Sequence, residues 1–215
     1  MNEAVQVKIP ALKRFFDIIL SLFFLAILSP FIAVIFILFK LEQAFKKDSR
    51  GPFLYSEVRI SEGKPFLFYK IRTCKVSAYE LCRRKHGTVH TAVVESDKTN
   101  FLRTGWIVKQ IYLDEIPQLF NVLIGDISLV GPRPKPVKEY EDCLKQGNFA
   151  KKYIKAGLTG PFQSYKGNWK DGMDDLSMDK QYLNFVRSKT ALQVLFNDLL
   201  IIFRTFKVIL EHRGI

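Results

Sequence analysis

Cysteine and histidine are both scarce in this chain, and neither is spaced for a metal site or a disulfide framework. The 215 residues include three cysteines and three histidines: Cys74, Cys82, Cys143, His86, His90 and His212. An odd number of cysteines without the pairwise spacing of zinc ligands is typical of reduced thiols. The scarcity therefore excludes a disulfide-stapled secreted module, and we expect the thiols to face the cytosol.

Acidic residues are also in short supply. The chain has 21 Asp and Glu against 33 Lys and Arg, which gives a net charge of +12. Such an excess suits nucleic acid, anionic lipid headgroups or phosphorylated substrates. Because 48% of the residues are apolar and 19 are Phe, and because no nucleic-acid-binding motif or repeat is present, a membrane surface is favoured and no nucleic-acid partner is expected. The length fits one domain plus a membrane element.

The longest apolar run, residues 15–39, predicts a membrane helix. Its roughly 25 residues would reach about 37 Å, which is enough to span a bilayer. Ser29-Pro30 lies near the middle, where proline removes a backbone hydrogen bond. Both flanks are basic, which places both ends on the cytoplasmic side. A re-entrant helix that bends at Ser29-Pro30 and leaves by the same face satisfies both observations, and a kinked spanning helix is the alternative. Arg14 and Asp17, three residues apart, share a helical face and could pair near the headgroups, with a solvated helix-end acid as the alternative for Asp17.

An adjacent acid pair, Asp114-Glu115, stands just before Pro117. Acids and proline are both favoured in the first turn of a helix, so we predict a helix from Asp114 to about Leu123, ended by Gly125. Its predicted buried face consists of Leu119, Phe120, Val122 and Leu123.

The two carboxylates repel each other, more strongly in the low dielectric of a cleft, so positive groups are needed beside them. Lys109 upstream and Arg133 downstream are the candidates in the sequence, and Mg²⁺ bound by Asp114 is the natural addition. Arg133 lies between two prolines, and a guanidinium on a stiff corner suits two-point recognition of a phosphate. The alternatives are an ordinary helix cap and an ordinary surface turn.

Two aromatic and β-branched segments, residues 51–60 and 64–74, predict a β-hairpin. Lys70 and Arg72 are two residues apart and are predicted to share a strand face that could grip a diphosphate, with a solvated strand face as the alternative. Residues 76–98 predict a loop or short helix, and residues 100–109 a short helix.

The C-terminal half predicts three further features. Residues 135–147 predict a surface helix. Residues 156–163 contain Gly157 and Gly160, which would let backbone N–H groups approach a phosphate or nucleotide, with a generic turn as the alternative. Residues 192–210 predict an amphipathic helix in the membrane interface, with a second spanning helix left open. Its polar stripe consists of Gln193, Asn197, Arg204 and Glu211.

The stretch LDEIPQLFNVLIGDISLVGPRP closely resembles the core motif of the bacterial sugar transferases, the monotopic polyprenyl-phosphate phosphoglycosyl transferases. The resemblance extends from Lys13 to about Thr205. It includes Lys13-Arg14-x-x-Asp17, the Ser29-Pro30 pair, Lys70-x-Arg72-Thr73 and the Asp179-x-x-Tyr182 segment, to which we assign no role. The chain departs from the family at Cys74, Lys109 and Ala156, where Met, Arg and Pro are usual.

The resemblance implies an enzyme that transfers a sugar-1-phosphate from a UDP-sugar to a membrane polyprenyl (undecaprenyl) phosphate and releases UMP, as the first membrane step of glycan assembly. It implies that Asp114 is the nucleophile that forms a covalent phosphosugar intermediate, with Mg²⁺ as cofactor. Glu115 would deprotonate the acceptor or position the metal. The candidate phosphate contacts are Lys70, Arg72, Lys109 and Arg133.

The predicted fold is a small α/β (α+β) catalytic domain, residues 46–215, on the cytoplasmic face of the inner membrane. Residues 1–45 would form the basic segment and re-entrant helix. The expected partners are the UDP-sugar, the polyprenyl phosphate and anionic headgroups, and a homodimer is left open. The rival function is a non-enzymatic, lipid-binding membrane scaffold. That rival explains the charge and the apolar segments but leaves the acid pair and the Gly-Pro-Arg-Pro corner unexplained.

Overall fold

Helices predominate in the computed structural model, which describes residues 6–87, 89, 91–167 and 173–211. In these ranges the strands form a pair of two-stranded sheets, so the mixed helix-and-strand class is confirmed. The chain divides into two compact units. One comprises Met1–Phe23, Val58–Phe68 and Leu119–Ile215, and the other Phe24–Glu57 and Tyr69–Gln118. The division into a membrane segment, 1–45, and a cytoplasmic domain, 46–215, stays a prediction.

The N-terminal apolar run forms one helix, α1, Ala11–Phe45. By length and composition this helix could cross a membrane, and only 11% of its most apolar window is buried in the protein. Large side chains such as Phe15, Phe31 and Ile37 are more than half exposed. Because an apolar helix with so little protein around it needs an apolar solvent, this exposure favours the predicted membrane helix.

The helix does not break at Ser29-Pro30, so the predicted helix-break-helix is corrected to a continuous helix with Pro30 inside it. The carbonyl that loses its donor at Pro30 is that of Ala26, four residues earlier. The hydroxyl of Ser29 donates to this carbonyl at 2.8 Å and replaces the missing N–H. The serine therefore compensates for the proline, and the re-entrant path itself stays a prediction.

In the first unit, the start of α1 is anchored by three charged side chains. Lys13 donates to the carbonyl of Val130 at 3.0 Å and pairs with Asp198 at 2.5 Å. Asp17 accepts from the hydroxyl of Ser128 at 2.7 Å and from the N–H of Leu129 at 3.1 Å. The predicted pairing of Arg14 with Asp17 is therefore wrong.

Arg14 instead donates to the carbonyls of Val122 and Leu123, at 2.6 and 2.7 Å. These carbonyls belong to the last turn of α5, Gln118–Ile124, where a cation is favoured by the helix dipole. Arg14 thus caps a helix that lies more than 100 residues away in sequence.

Two short parallel strands, β3 (Ser128–Val130) and β4 (Gly157–Thr159), form the small sheet of this unit. β4 lies within the segment 156–163, in which Gly157 and Gly160 were predicted to approach a phosphate. A Cβ on Gly157 would lie 2.0 Å from the nitrogen of Gly131, and a Cβ on Gly160 would lie 2.2 Å from its oxygen. The N–H of Gly157 donates to Pro132 O at 2.9 Å. These glycines therefore permit close backbone packing, and for Gly157 the predicted use of its N–H for phosphate is wrong.

The described residues of this unit also contain the helices α6 (Val137–Lys145), α7 (Ala150–Tyr153), α8 (Asp175–Ser188) and α9 (Ala191–Leu210). α9 begins with a capping box between Thr190 and Gln193. It buries Val194, Asp198 and Ile201 and exposes apolar residues such as Phe203. The exposed face of α9 is thus apolar, which favours the predicted position in the membrane interface. That position stays a prediction.

The hairpin is confirmed, with β1 at Leu54–Ser61 and β2 at Lys64–Ile71. The second unit contains α2 (Val76–His86), α3 (Thr91–Ser96) and α4 (Arg103–Gln110). Two helices therefore occupy most of the segment predicted as a loop or short helix. α2 ends at Gly87, whose φ of 74° is the left-handed C-cap conformation.

Glu42 of α1 caps α4 from outside the helix. Its carboxylate accepts from the N–H groups of Arg103 and Thr104, both at 2.9 Å, and from the Thr104 hydroxyl at 2.7 Å. A carboxylate at a helix N-terminus satisfies donors that the helix leaves open. Glu42 therefore fixes the start of the helix that carries Lys109.

Candidate active site

The acid pair lies in a 3-10 turn, Leu113–Glu115, rather than in the first turn of an α-helix. The α-helix begins only at Gln118, after Pro117, so the predicted start at Asp114 is wrong by one turn. Of the predicted buried face, Leu119 and Val122 are buried, whereas Phe120 is 54% exposed.

The residue that leads into this turn has an unusual backbone. Tyr112 has φ 57° and ψ 18°, in the left-handed region. For an aromatic residue this conformation costs on the order of 1 kcal/mol. Such outliers persist where the surrounding structure holds them, and they concentrate at functional sites. The turn that presents Asp114 is therefore fixed by its surroundings.

Asp114 is a buried carboxylate with one oxygen engaged and one left open. Only 1% of the residue is exposed. Oδ2 lies 3.4 Å from the ammonium nitrogen of Lys109, and Oδ1 has no hydrogen-bond partner among the described residues. Burial, with the charge of Glu115 as the second cause, raises the pKa of Asp114 to about 6, although Lys109 and Lys70 oppose the rise.

Lys109 lies between two carboxylates. Its ammonium is 3.4 Å from Asp114 and 3.1 Å from Oε2 of Glu95. Burial lowers the pKa of Lys109, but the two carboxylates outweigh it and hold the pKa above its ordinary value. The predicted neighbour of the acid pair is thus in place. Its contact with substrate phosphate stays a prediction.

Glu95 is the site residue that the sequence did not reveal. It lies on α3, in a segment without a recognisable motif, and no spacing connects it to Lys109. Its other oxygen accepts from the hydroxyl of Thr73 at 3.0 Å. Only the folded chain brings these side chains together.

Lys70, the other basic residue of this unit that the sequence suggested, is buried and has an acidic neighbour. Its ammonium lies 3.4 Å from Oε1 of Glu57. Lys70 also contributes to the field at Asp114, where it lowers the carboxyl pKa. Its contact with a diphosphate stays a prediction.

Arg72 follows β2 and is buried, so it does not share an exposed strand face with Lys70. Its guanidinium donates to the carbonyls of Pro52, Cys74 and Ser49 at 2.7, 2.9 and 2.7 Å. It also lies 4.9 Å from the centroid of the Phe39 ring. Arg72 therefore fixes the backbone around the end of β2, and a phosphate contact would compete with these bonds.

Arg133 belongs to the first unit, where the backbone on both sides of it is held. Pro132 O accepts from Gly157 N at 2.9 Å, and Pro134 O accepts from Arg59 Nη1 at 3.0 Å. The neighbouring Lys135 O accepts from Ile60 N at 3.0 Å. The corner is therefore rigid, as the two prolines predict, and the role of Arg133 in phosphate binding stays a prediction.

The donor set around Asp114 fits a magnesium ion that arrives with a phosphorylated substrate. Within the described ranges, no group of three His, Cys, Asp or Glu side chains forms a metal cluster; His90 and His212 lie outside these ranges. Mg²⁺ commonly uses one or two carboxylates and completes its shell with water and substrate phosphates. Asp114 is the candidate carboxylate ligand, and its Oδ1, buried and without a donor among the described residues, shows that protein groups do not fully neutralise this carboxylate.

Comparison with known proteins gives a consistent result. Residues 9–212 match the family described as bacterial sugar transferase. The undecaprenyl-phosphate galactose phosphotransferase of Salmonella typhimurium is 34% identical over 94% of this chain and 41% of that protein. A galactosyl transferase of Streptococcus agalactiae is 34% identical over 94% of this chain and 43% of its own length.

The UDP-glucose:undecaprenyl-phosphate glucose-1-phosphate transferase of Klebsiella pneumoniae is 31% identical over 90% of this chain and 39% of that protein. The chain thus spans about two fifths of the length of these three relatives. Two of their names specify different sugars, galactose and glucose.

Proposed function

The chain belongs to the bacterial sugar transferase family, and from that premise we propose that it transfers a sugar-1-phosphate from a UDP-sugar to a membrane polyprenyl phosphate, releasing UMP. The observation that carries the proposal is the state of Asp114, a buried carboxylate with Oδ2 beside Lys109 and Oδ1 without a partner among the described residues. A scaffold that only binds lipid has no use for such a group.

In the first half-reaction, Oδ1 of Asp114 attacks the β-phosphorus of the UDP-sugar. The bond from this phosphorus to the bridging oxygen breaks, and UMP leaves with the electron pair. Lys109 stays on Oδ2 and orients the carboxylate for the attack. A carboxyl with a pKa of about 6 is mostly ionised at neutral pH and is more basic than an ordinary aspartate, so it is a better nucleophile.

In the second half-reaction, an oxygen of the polyprenyl phosphate attacks the phosphorus of the aspartyl-phosphosugar. The acyl phosphate bond breaks, and Asp114 is restored as a carboxylate. Glu115 is half-buried in the same turn and serves this half-reaction by taking the acceptor's proton, or it orients the metal. Formation of the covalent intermediate by a Glu115→Gln variant would favour the first of these roles.

Asp114 would hold Mg²⁺ together with the diphosphate of the donor. When bound, the ion neutralises the crowded negative charge and stabilises the departing UMP. The proposed phosphate contacts remain Lys70, Lys109 and Arg133. Arg72, the fourth predicted contact, would have to give up a bond to a backbone carbonyl to reach a phosphate.

The membrane helix supports the choice of acceptor. α1 could cross or enter a membrane by its length and composition. A polyprenyl phosphate keeps its phosphate at the headgroup layer, so an attached enzyme searches along a surface rather than through a volume. We place the enzyme on the cytoplasmic face of the inner membrane, where UDP-sugars are made and where basic flanks are favoured.

The test is UMP release by membrane fractions that contain the protein, with and without Mg²⁺. The donor panel includes UDP-galactose, UDP-glucose and their N-acetylated counterparts, and membranes with an Asp114→Asn variant are the control. We expect Mg²⁺-dependent release from at least one donor and none from the variant. If no donor yields UMP, the lipid-binding scaffold becomes the better account.

A further inference from the structure

A continuous set of hydrogen bonds leads from the core of the second unit to Asp114. Glu95 stands in its middle, with both carboxylate oxygens engaged. Oε1 accepts from the Thr73 hydroxyl at 3.0 Å, and Oε2 lies 3.1 Å from the Lys109 ammonium. The side chain of Glu95 is only 15% exposed, so little solvent competes for these contacts.

The direction of each donor in this set can be assigned. Thr73 has one hydroxyl hydrogen, and the charged oxygen of Glu95 is its best acceptor. The hydroxyl of Tyr79, 3.2 Å away, therefore donates to Thr73. The Tyr79 oxygen in turn accepts from the N–H of Cys74 at 3.4 Å. Tyr79 and Thr73 thus share one arrangement that satisfies both hydroxyl groups and holds Oε1 of Glu95 in place.

The backbone of Thr73 is held as tightly as its side chain. Its carbonyl accepts from the N–H of Leu102 at 2.9 Å. Gly105 of α4 packs so closely that a Cβ on it would lie 1.9 Å from the same carbonyl oxygen. The Thr73 hydroxyl is therefore carried by a rigidly held backbone.

This inference rests on the proposed function, in which Asp114 is the nucleophile. We propose that Glu95 is a positioning residue. It holds the Lys109 ammonium against Oδ2 of Asp114 and thereby leaves Oδ1 as the attacking atom. A lysine side chain is long and flexible, and one acceptor does not fix its ammonium. Two acceptors on opposite sides of the ammonium fix its position. The ammonium has three hydrogens, so one remains for a substrate oxygen after Glu95 and Asp114 have each taken one.

Other charges near Asp114 do not replace Glu95 in this role. Glu115 is part of the turn that carries Asp114, and Lys70 comes from β2 with Glu57 beside it. Among the ion pairs of the described residues, those of Lys109 are with Glu95 and Asp114. Loss of Glu95 therefore leaves Asp114 as the single ion-pair partner of Lys109 among the described residues, without changing the acid pair itself.

The test begins with a Glu95→Gln variant, which keeps the size of the side chain and removes its charge. Glu80→Gln, an exposed glutamate on α2, is the matched control. We expect kcat for UMP release to fall about tenfold or more in Glu95→Gln, as for loss of a charge-assisted hydrogen bond, with KM for the UDP-sugar little changed. The Glu80→Gln variant should match the unmodified protein.

A double-mutant cycle separates positioning from a structural role. If Glu95 acts through Lys109, then Glu95→Gln costs nothing further in a Lys109→Met background. Additive losses would overturn the proposal. Thr73→Val, which removes one support of Glu95 but no charge, should produce a smaller fall in kcat that is also absent in the Lys109→Met background. This variant decides the question if Glu95→Gln fails to fold.

Crystal structures of the unmodified protein and of the Glu95→Gln and Thr73→Val variants give a readout that does not depend on activity. We expect the Lys109 ammonium to leave Oδ2 of Asp114 in Glu95→Gln. An ammonium that stays in place would contradict the proposal even if the protein released no UMP. Absence of UMP release from the unmodified protein would instead contradict the proposed function.

Discussion

The ammonium nitrogen of Lys109 lies 3.4 Å from Oδ2 of Asp114, while Oδ1 of the same buried carboxylate has no partner in the described part of the chain. One oxygen is therefore held, and the other is buried without a donor. Full satisfaction of both oxygens would stabilise the fold better, because an unsatisfied buried acceptor is costly. The arrangement is typical of a site where function is maintained at some expense of stability.

This arrangement predicts an unusual dependence of stability on pH. The pKa of Asp114 is raised from 3.8 to about 6, so the folded protein binds a proton more tightly than the unfolded chain does. Stability should therefore fall as pH rises from about 4 to 6 and stay lower above that range. An Asp114→Asn variant avoids this loss. We expect it to be more stable than the unmodified protein at pH 7.5, by up to about 3 kcal/mol, and equally stable near pH 4.

Thermal unfolding in detergent at several pH values measures this difference. Asp97→Asn provides the control, because hydrogen bonds from Thr99 lower the pKa of Asp97 instead of raising it. The ionised Asp97 carboxylate stabilises the folded protein above its ordinary pKa, so replacing Asp97 should not raise Tm at pH 7.5. If Asp114→Asn is less stable than the unmodified protein at pH 7.5, the ionised, buried carboxylate does not destabilise the fold as described above.

The second prediction concerns the activity of Arg133 variants. We expect Arg133→Ala to lose most UMP-releasing activity and Arg133→Lys to recover only part of it, because lysine lacks the planar fork that a rigid corner presents. Loss of one charge-assisted hydrogen bond costs on the order of 1.5–3 kcal/mol. Arg84→Ala, on the exposed face of α2, is the matched control. Full activity in Arg133→Ala would show that the corner is only a turn.

The path of α1 through the membrane predicts a third outcome. In a Cys143→Ser background, single cysteines at Gln6 and at Lys47 report on the two flanks of the helix; Cys74 and Cys82 are buried. A membrane-impermeant thiol reagent applied to intact cells should label neither, because both flanks are basic and expected in the cytoplasm.

The Pro30→Leu substitution tests the same path from the other side. It removes the proline ring, which crowds the Ala26 carbonyl, and should favour a straight span with the N-terminus outside, so the cysteine at Gln6 should become labelled. Strong labelling of either cysteine in the unmodified helix would contradict the re-entrant path.

The sequence predicted the parts of the site that depend on neighbours along the chain. Lys109 and Asp114 are five residues apart, and the Pro132-Arg133-Pro134 corner is rigid by composition alone. The partners of Arg14, Lys13 and Glu95 could not be predicted in this way, because their contacts join segments separated by 14 to more than 100 residues.

Two local predictions also failed for identifiable reasons. The helix does not break at Pro30, because the Ser29 hydroxyl satisfies the Ala26 carbonyl. Gly157 serves strand packing against Gly131, since the partner strand leaves no room for a Cβ. In both cases a specific neighbouring group decided the outcome, and the propensity of a single residue carries no information about that neighbour.

The central claim is that Asp114 forms a covalent bond to phosphorus, and mass spectrometry tests it most directly. The purified protein is incubated with a UDP-sugar that supports UMP release, with Mg²⁺ and without polyprenyl phosphate, and is then analysed intact and as peptides. The account predicts a mass gain of one phosphosugar on the peptide that contains Asp114, no gain in Asp114→Asn, and loss of the adduct when polyprenyl phosphate is added. An adduct on Glu115, or normal turnover by Asp114→Asn, would contradict it.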